Sequence, residues 1–367
     1  MTCLFLFPIT HDIANGLNQA VPAMVSNQAI IDDCIAININ NKEFLQGHKF
    51  TLLYQTSIEY HKDFLNSLPT PFNKPDIVIF IGIYFPKYLL LGRELTTRSI
   101  PYIIQPASSL TYQAQHNHAF LKKKIANCLL FNHFIKGASA INYLTEDERK
   151  DSGTKWNKHS FVLPNGINIP DIRKTEFSAT GIKACFIGRI DIYQKGLDLL
   201  LEAMSKIQED LREAHYSLKI FGPINHDAKK VALLIKKYNI NDLVSLEGEV
   251  SGAEKESAFM NSDLFVLTSR FEGHSIALLE ALSYGLPVAI TPGTNMKQQV
   301  QQYDAGWCCG ETTIDSICNM LLTIIGERNS FASKGKQSIE LAKTYNHSQI
   351  AEQFHMIAQG IVNNNYL

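Results

Sequence analysis

The sequence predicts an α/β protein of two doubly wound, parallel-sheet, Rossmann-like domains facing a central cleft. Three observations carry this expectation. Short apolar, β-rich runs alternate with helical stretches over most of the chain, the pattern of strands linked by covering helices. The runs fall into two series, separated by the turn-rich segment Pro164-Asn-Gly-Ile-Asn-Ile-Pro170. With 367 residues and 45 % hydrophobic content, the chain is long enough for two domains of ordinary size.

The first series of strands reads 4–8, 34–39, 50–54, 77–81, 102–105, 140–143 and 161–163; the second reads 184–187, 218–221, 243–246, 264–267 and 288–290. Beyond residue 310 the pattern turns mainly helical and ends in a stretch over 345–361 that could cap either domain. Domains of 1–166 and 167–344 follow. Doubly wound sheets bind ligands beyond the carboxyl ends of their strands, so the functional loops are expected there.

Composition excludes several classes. The formal net charge of −1 gives no global basic surface, so nucleic acid is not an expected partner. The first 167 residues carry a slight excess of Lys and Arg, and the remainder a slight excess of Asp and Glu. Seven cysteines form no metal-ligand spacing and fit reduced thiols in a cytosolic protein, with Cys308-Cys309 read as packing. The apolar start, residues 1–8, has no positive flank and is too short for a signal peptide, so it reads as a buried strand. The apolar stretch 77–91 is broken by Pro86 and Lys87 and falls short of the ~20 residues of a spanning helix. A cytoplasmic location is the expectation.

The densest motif is the run 271–293, where Glu272 and Glu280 are separated by seven residues inside a strand-helix-strand unit. Glu280 sits on a helix with apolar neighbours, Leu278, Leu279, Ala281 and Leu282 among them. An ionised carboxylate there is costly unless something hydrogen-bonds to it, a role that ligand hydroxyls would fill. Glu272-Gly273-His274-Ser275-Ile276 lies at a strand-to-helix junction, where free N–H groups can meet an anion and Glu272 can accept from hydroxyls. Read alone, Glu272 is equally a helix-start acid favoured by the dipole.

A second junction, Phe186-Ile-Gly-Arg-Ile-Asp-Ile-Tyr-Gln-Lys-Gly196, supplies Gly188 for a tight turn. It also supplies Arg189 as a planar fork for phosphate oxygens and Lys195 near a helix start. Together these form a candidate diphosphate clamp. In the first domain, Gly16 in the segment 11–17 could bring backbone close to a phosphate. No Gly-x-Ser-x-Gly elbow, no Gly-x4-Gly-Lys-Ser/Thr loop and no Gly-x-Gly-x-x-Gly fingerprint occurs, which weighs against phosphate-anhydride hydrolysis and nicotinamide chemistry. The stretch 120–134 joins Lys122, Lys123 and Lys124 to bulky apolar residues at helical spacing. It reads either as a core helix with one basic end or as a peripheral contact with an anionic membrane. His116 and His118 read as surface or capping residues.

Taken together, these residues resemble the retaining glycosyltransferases of family 4, of GT-B type, and in particular their polysaccharide-assembly members. The likeness covers nearly the whole chain and is strongest over 164–293: Pro164-Asn-Gly-Ile, Gly188-Arg189 with Lys195-Gly196, Leu218-Lys-Ile-Phe-Gly-Pro223, Leu246-Glu-Gly-Glu-Val250 and the Glu-x7-Glu run. Weaker likeness lies in 75–84, 100–110 and 140–148.

The resemblance implies transfer of a sugar from a UDP-, GDP- or dTDP-sugar to a hydroxyl of a glycan or lipid-linked acceptor, with retention and without a metal or other cofactor. Arg189 and Lys195 would neutralise the leaving diphosphate. Glu280 would hold the ribose and Glu272 the sugar, Gly273, His274, Ser275 and Ile276 would support phosphate or sugar, and the base would lie near Gly222 and Val250. Gly16 would approach the phosphates, and the final helix, about 345–367, would cross back onto the first domain. The expected setting is bacterial surface polysaccharide synthesis, on the cytoplasmic side and peripheral to the inner face of the membrane. Many relatives have histidine where this chain reads Phe80-Ile-Gly82 and Pro106-Ala107-Ser108, which implies either a different donor contact, from Gln105 or Ser108, or an enzyme whose efficiency depends on other groups. The alternatives are a two-carboxylate glycoside hydrolase, a sugar-nucleotide epimerase and a catalytically idle partner subunit.

Overall fold

The computed structural model describes residues 1–8, 16–39, 51–54, 63–116 and 120–364. The segment 11–15 ahead of Gly16, together with Phe50, His118 and residues 365–367, lies outside them. Thirteen strands are present among the described residues. The first sheet contains β1 (Thr2–Phe7), β2 (Asp33–Asn38), β3 (Thr51–Tyr54), β4 (Ile77–Ile81), β5 (Tyr102–Gln105), β6 (Ala140–Tyr143) and β7 (Ser160–Val162). The second contains β8 (Ile182–Ile187), β9 (Tyr216–Phe221), β10 (Val244–Gly248), β11 (Leu264–Leu267), β12 (Val288–Ile290) and β13 (Gly306–Cys308).

Both sheets are wholly parallel. Their orders are β3-β2-β1-β4-β5-β6-β7 and β10-β9-β8-β11-β12-β13. Each is doubly wound: strand order reverses between β1 and β4 in one and between β8 and β11 in the other, which creates a topological switch point in each. Strands buried on both faces need continuous apolar runs, and β4 (Ile-Val-Ile-Phe-Ile) and β11 (Leu-Phe-Val-Leu) supply them.

Two compact units divide near Gly166, and the segment His347–Leu367 belongs with the first while Ile167–Asn346 forms the second. In the first unit Ile350, Phe354, Ala358 and Ile361, at helical spacing on helix His347–Val362, pack into the same cluster as Phe5, Val21 and Ile79. His355 adds a polar contact across that packing, with Nδ1 2.8 Å from Asp32 Oδ1. In the second unit Leu197, Leu200, Leu201 and Met204 form the buried stripe of helix Leu197–Lys206.

One strand escaped the sequence reading. β13 has three residues, Gly-Trp-Cys, too few to show a period, and it exists because β12 offers a free edge: Val288 pairs with Gly306 and Ile290 with Cys308. Cys309 beside it is buried, its Sγ 3.5 Å from Met320 Sδ, as the packing reading of that pair expects. No described helix is long and apolar enough to cross a membrane.

Candidate functional site

The loops that leave the carboxyl ends of β8 and β11, the switch-point strands of the second sheet, hold most of the residues singled out in the sequence. After β8 the chain runs through Gly188 and Arg189 to Gly196, which starts helix Leu197–Lys206. Gly196 adopts φ +62°, and a Cβ there would lie 2.1 Å from the Thr268 carbonyl oxygen, so the position requires glycine. After β11 the chain passes Thr268 to His274, and Ser275 caps helix Ile276–Ser283 by accepting from Leu278 N–H at 3.4 Å. The N–H groups of Ile276 and Ala277, in the first turn, have no acceptor within their own helix.

Side chains stitch these two loops together. Thr268 Oγ1 donates to the carbonyls of Lys195 and Gly196 at 3.2 and 3.1 Å, and Arg270 N–H donates to the Gln194 carbonyl at 2.8 Å. The Arg270 guanidinium takes both oxygens of Asp198 at 2.7 Å and lies 4.4 Å from the centre of the Tyr193 ring. Asn295 Nδ2 donates to the Glu272 carbonyl at 2.6 Å.

Lys195 and Glu272 meet at the centre of this arrangement. Lys195 Nζ stands 2.6 Å from Glu272 Oε1, and the Ser269 hydroxyl donates to the same oxygen at 2.6 Å. Both side chains are largely buried, 13 % and 8 % exposed. The carboxylate thus already accepts from an ammonium and a hydroxyl at one oxygen, an arrangement that suits it to accept from further hydroxyl groups. The expected clamp is thereby refined: Lys195 answers to Glu272, whereas Arg189 is half exposed and donates to Gln194 Oε1 at 2.7 Å.

Glu280 has a partner within the protein: Lys255 from helix Gly252–Met260 reaches its carboxylate, Nζ lying 2.7 Å from Oε1 and 2.5 Å from Oε2. Burial pushes the Glu280 carboxyl above its ordinary range, and the Lys255 charge pulls the other way. Nothing local in the sequence marks Lys255 as this partner; a basic residue on the helix that crosses from β10 to β11 is the only signal.

Gly222, Val250, Gly273 and His274 share the same edge of the sheet. Gly222 follows β9, and a Cβ there would lie 2.3 Å from the Gly188 carbonyl oxygen, so the ends of β8 and β9 close only around glycine. Val250, two residues past β10, is half-buried. Gly273 is half-buried, and His274 is buried, its imidazole held neutral because burial lowers its pKa to about 4. Gly16 opens helix Gly16–Gln28.

At the carboxyl end of β5 the structure answers the missing histidine differently. Ala107 and Ser108 both adopt positive φ, +48° and +68°, an uncommon backbone state for two consecutive non-glycine residues. The turn is held by fully buried Glu148, which accepts from Ser108 N–H at 2.6 Å and from Leu144 N–H at 2.7 Å. Gln105 is engaged by Asn142 Nδ2 at 3.3 Å.

The fold defines a class, the two-Rossmann-domain proteins of GT-B type: the Anabaena protein HepE, solved with UDP, superposes with a TM-score of 0.76 over 98 % of this chain and 100 % of that one at 13 % identity. HepE has also been solved with UDP-glucose. Residues 168–340, a little under half of the chain, match the family described as glycosyl transferases group 1. The glycosyltransferase WcaL of Escherichia coli (strain K12), named for colanic acid biosynthesis, is 25 % identical over 155 residues, 41 % of this chain and 37 % of that protein. Protein CapJ of Staphylococcus aureus is 24 % identical over 306 residues, 80 % of this chain and 76 % of that protein. The chain thus spans little more than a third of the length of WcaL.

Proposed function

We propose that this protein transfers a sugar from a nucleotide-sugar donor to a hydroxyl of a glycan or lipid-linked acceptor, with retention of configuration, in bacterial surface polysaccharide synthesis. The observation that carries the reading is the Lys195–Glu272 pair at the switch point of the second sheet, beside the start of helix Ile276–Ser283. A donor needs a cation for its diphosphate and an acceptor of hydrogen bonds for its sugar hydroxyls, and this pair presents both in one place.

In this mechanism Lys195, joined by Arg189, balances the charge that builds on the departing diphosphate. The first-turn N–H groups of helix Ile276–Ser283 add to that balance. Glu272, held by Lys195 and Ser269, orients the sugar through its hydroxyls. Glu280, braced by Lys255, accepts from the ribose hydroxyls, and the base rests near Gly222 and Val250. The acceptor hydroxyl attacks from the face the diphosphate leaves, and its proton passes to the departing phosphate oxygen.

UDP in HepE and the name of WcaL support a uridine donor and a surface-polysaccharide setting for this chain. A thermal-shift panel of UDP-, GDP- and dTDP-sugars, followed by mass detection of products, tests the reading, because a true donor raises apparent stability with its concentration over Kd. Net transfer to a glycan or lipid-linked hydroxyl is the expected result. An isomerised donor formed without acceptor would replace the proposal with an epimerase, and tight nucleotide binding without turnover on any acceptor would replace it with an idle subunit.

A further inference from the structure

The loops after β8 and β11 carry Arg189, Lys195 and Arg270, and the last of these is taken up by the protein itself. A guanidinium at such a strand end reads as a fork for phosphate oxygens. The Arg270 fork is instead filled from within the chain. Its Nη1 donates to Asp198 Oδ1 and to the Tyr193 carbonyl, each at 2.7 Å, and its Nη2 donates to Asp198 Oδ2 at 2.7 Å. The Tyr193 ring lies against the group, 4.4 Å from Cζ to the ring centre.

The places of these partners in the chain give the contact its meaning. Tyr193 is two residues before Lys195, and Asp198 is three after it, in the first turn of helix Leu197–Lys206. The backbone between them is pegged as well. The Gln194 carbonyl accepts from Arg270 N–H at 2.8 Å, and the carbonyls of Lys195 and Gly196 accept from Thr268 Oγ1 at 3.2 and 3.1 Å. Gln194 Nε2 reaches the Phe271 carbonyl at 3.4 Å, while its Oε1 accepts from Arg189. Thr268, Arg270 and Phe271 all belong to the five residues that end on Glu272. The segment that presents the carboxylate therefore also grips the loop that presents the ammonium.

That grip matters because of what a lysine lacks. Its ammonium is a point charge on a flexible stem and fixes no direction of its own, so its place depends on where its backbone is held. Lys195 Nζ meets Glu272 Oε1 at 2.6 Å, with both side chains largely buried. A drift of the loop would let the ammonium turn to water and leave Glu272 buried without its cation, and a misplacement of ~1 Å can cost about a hundredfold in rate. A bidentate guanidinium–carboxylate pair resists such drift, because two parallel bonds fix angle as well as distance.

We propose that Arg270, paired with Asp198, is a positioning residue for Lys195: it holds the loop after β8 so that the ammonium stands against Glu272, and it does not itself touch the donor. The consequence for turnover rests on the sugar-transfer reading. The positioning does not, since it concerns contacts between the protein's own side chains.

Two measurements test it separately. The first needs no substrate: denaturant unfolding of wild type, K195M, E272Q and the double variant gives the coupling between Lys195 and Glu272, and the same cycle is repeated in an R270M background. The coupling is expected to fall by about half or more without Arg270. An undiminished coupling in folded R270M would overturn the proposal. The second measurement reads turnover. R270M is expected to lower kcat on the order of tenfold with the donor KM little changed, and to add nothing to the loss in K195M, because Arg270 acts through Lys195. R270K, which keeps the charge but not the fork, should recover only part of the loss. Should R270M not fold, D198N keeps the shape of the pair without its charge, and the same direction is expected in both measurements. Equal losses of kcat from R270M with and without Lys195 would overturn the proposal, as would a raised donor KM with kcat unchanged, which would make Arg270 a donor ligand. Wild-type turnover in K195M, or none in the wild type, would instead overturn the sugar-transfer reading and leave the unfolding cycle to decide for Arg270.

Discussion

In the second unit, the acids beyond β11 are held by side-chain cations: Lys195 faces Glu272 between two loops, and Lys255 faces Glu280 between two helices. In the first sheet, the loop after β5 is held by one acid, Glu148, whose two oxygens both accept backbone N–H groups. Both solutions bury a carboxylate, and burial pushes both the Glu148 and Glu280 carboxyls upward. They differ in what a ligand can exchange. A lysine has three donors and a flexible stem, so it can turn one of them to a phosphate while keeping its carboxylate; backbone donors are fixed in the turn they close. The difference fits the second unit to the proposed recognition of diphosphate and hydroxyls and gives Glu148 a structural task.

The largest effect should come from breaking the central pair. K195A is expected to slow sugar transfer by about a hundredfold or more, the scale for losing one charge-stabilising donor in a transition state. It should also lower stability by roughly 3 kcal/mol, because Glu272 is left buried without its cation. Turnover under saturating donor, alongside thermal unfolding, checks both, and wild-type turnover would remove Lys195 from the site.

Next in size, E280A should weaken nucleotide binding by roughly ten- to a hundredfold, the range for charge-assisted hydrogen bonds. Calorimetric titration with the nucleoside diphosphate reads it. An unchanged Kd would mean that Lys255 and Glu280 form a purely structural pair, as Glu148 does with its backbone donors.

The third prediction concerns pH. Burial raises the folded-state pKa of Glu280 above its ordinary 4.5, so the folded protein holds this proton longer than the unfolded chain. Stability from this group is therefore fully present below 4.5 and is lost as pH rises through the folded value. Lys255 limits that loss, so K255M should match wild type most closely in acid and fall progressively behind as pH rises above 4.5. Denaturant unfolding across pH measures the gap, and a gap that is independent of pH would show that Lys255 acts through packing alone.

The smallest effect belongs to the first sheet. A107G should relieve a positive φ and raise stability by about 1 kcal/mol, with nucleotide affinity unchanged. A shift in nucleotide Kd would break the division of labour drawn above.

Strand positions were legible because buried parallel strands must be nearly continuous apolar runs: β4, β5, β6, β11 and β12 fall where the pattern put them. The three residues of β13 carry no such signal, since their strand character comes from the edge of β12. At the site, Gly188, Lys195 and Glu272 were readable as residues of strand-to-helix junctions, where backbone geometry and helix starts restrict the choice of side chain, and Glu280 as a lone acid on an apolar helix. Their partners were not readable. Lys195 and Glu272 are 77 positions apart, and Lys255 and Glu280 are 25 apart on different helices. Leu121, Ile125 and Leu129, exposed at every fourth position of a stretch that reads as a core helix, show the same limit from the other side, because helical spacing gives a face but not what covers it.

The sequence by itself determined the two parallel sheets, the loops that bear the acids and cations, and the glycines those loops require, because each depends on local periodicity and backbone conformation. Only the tertiary structure decided which cation meets which carboxylate and which apolar face stays open. Those outcomes depend on strand order and helix crossings, which bring distant residues to within hydrogen-bond reach and which no local spacing encodes.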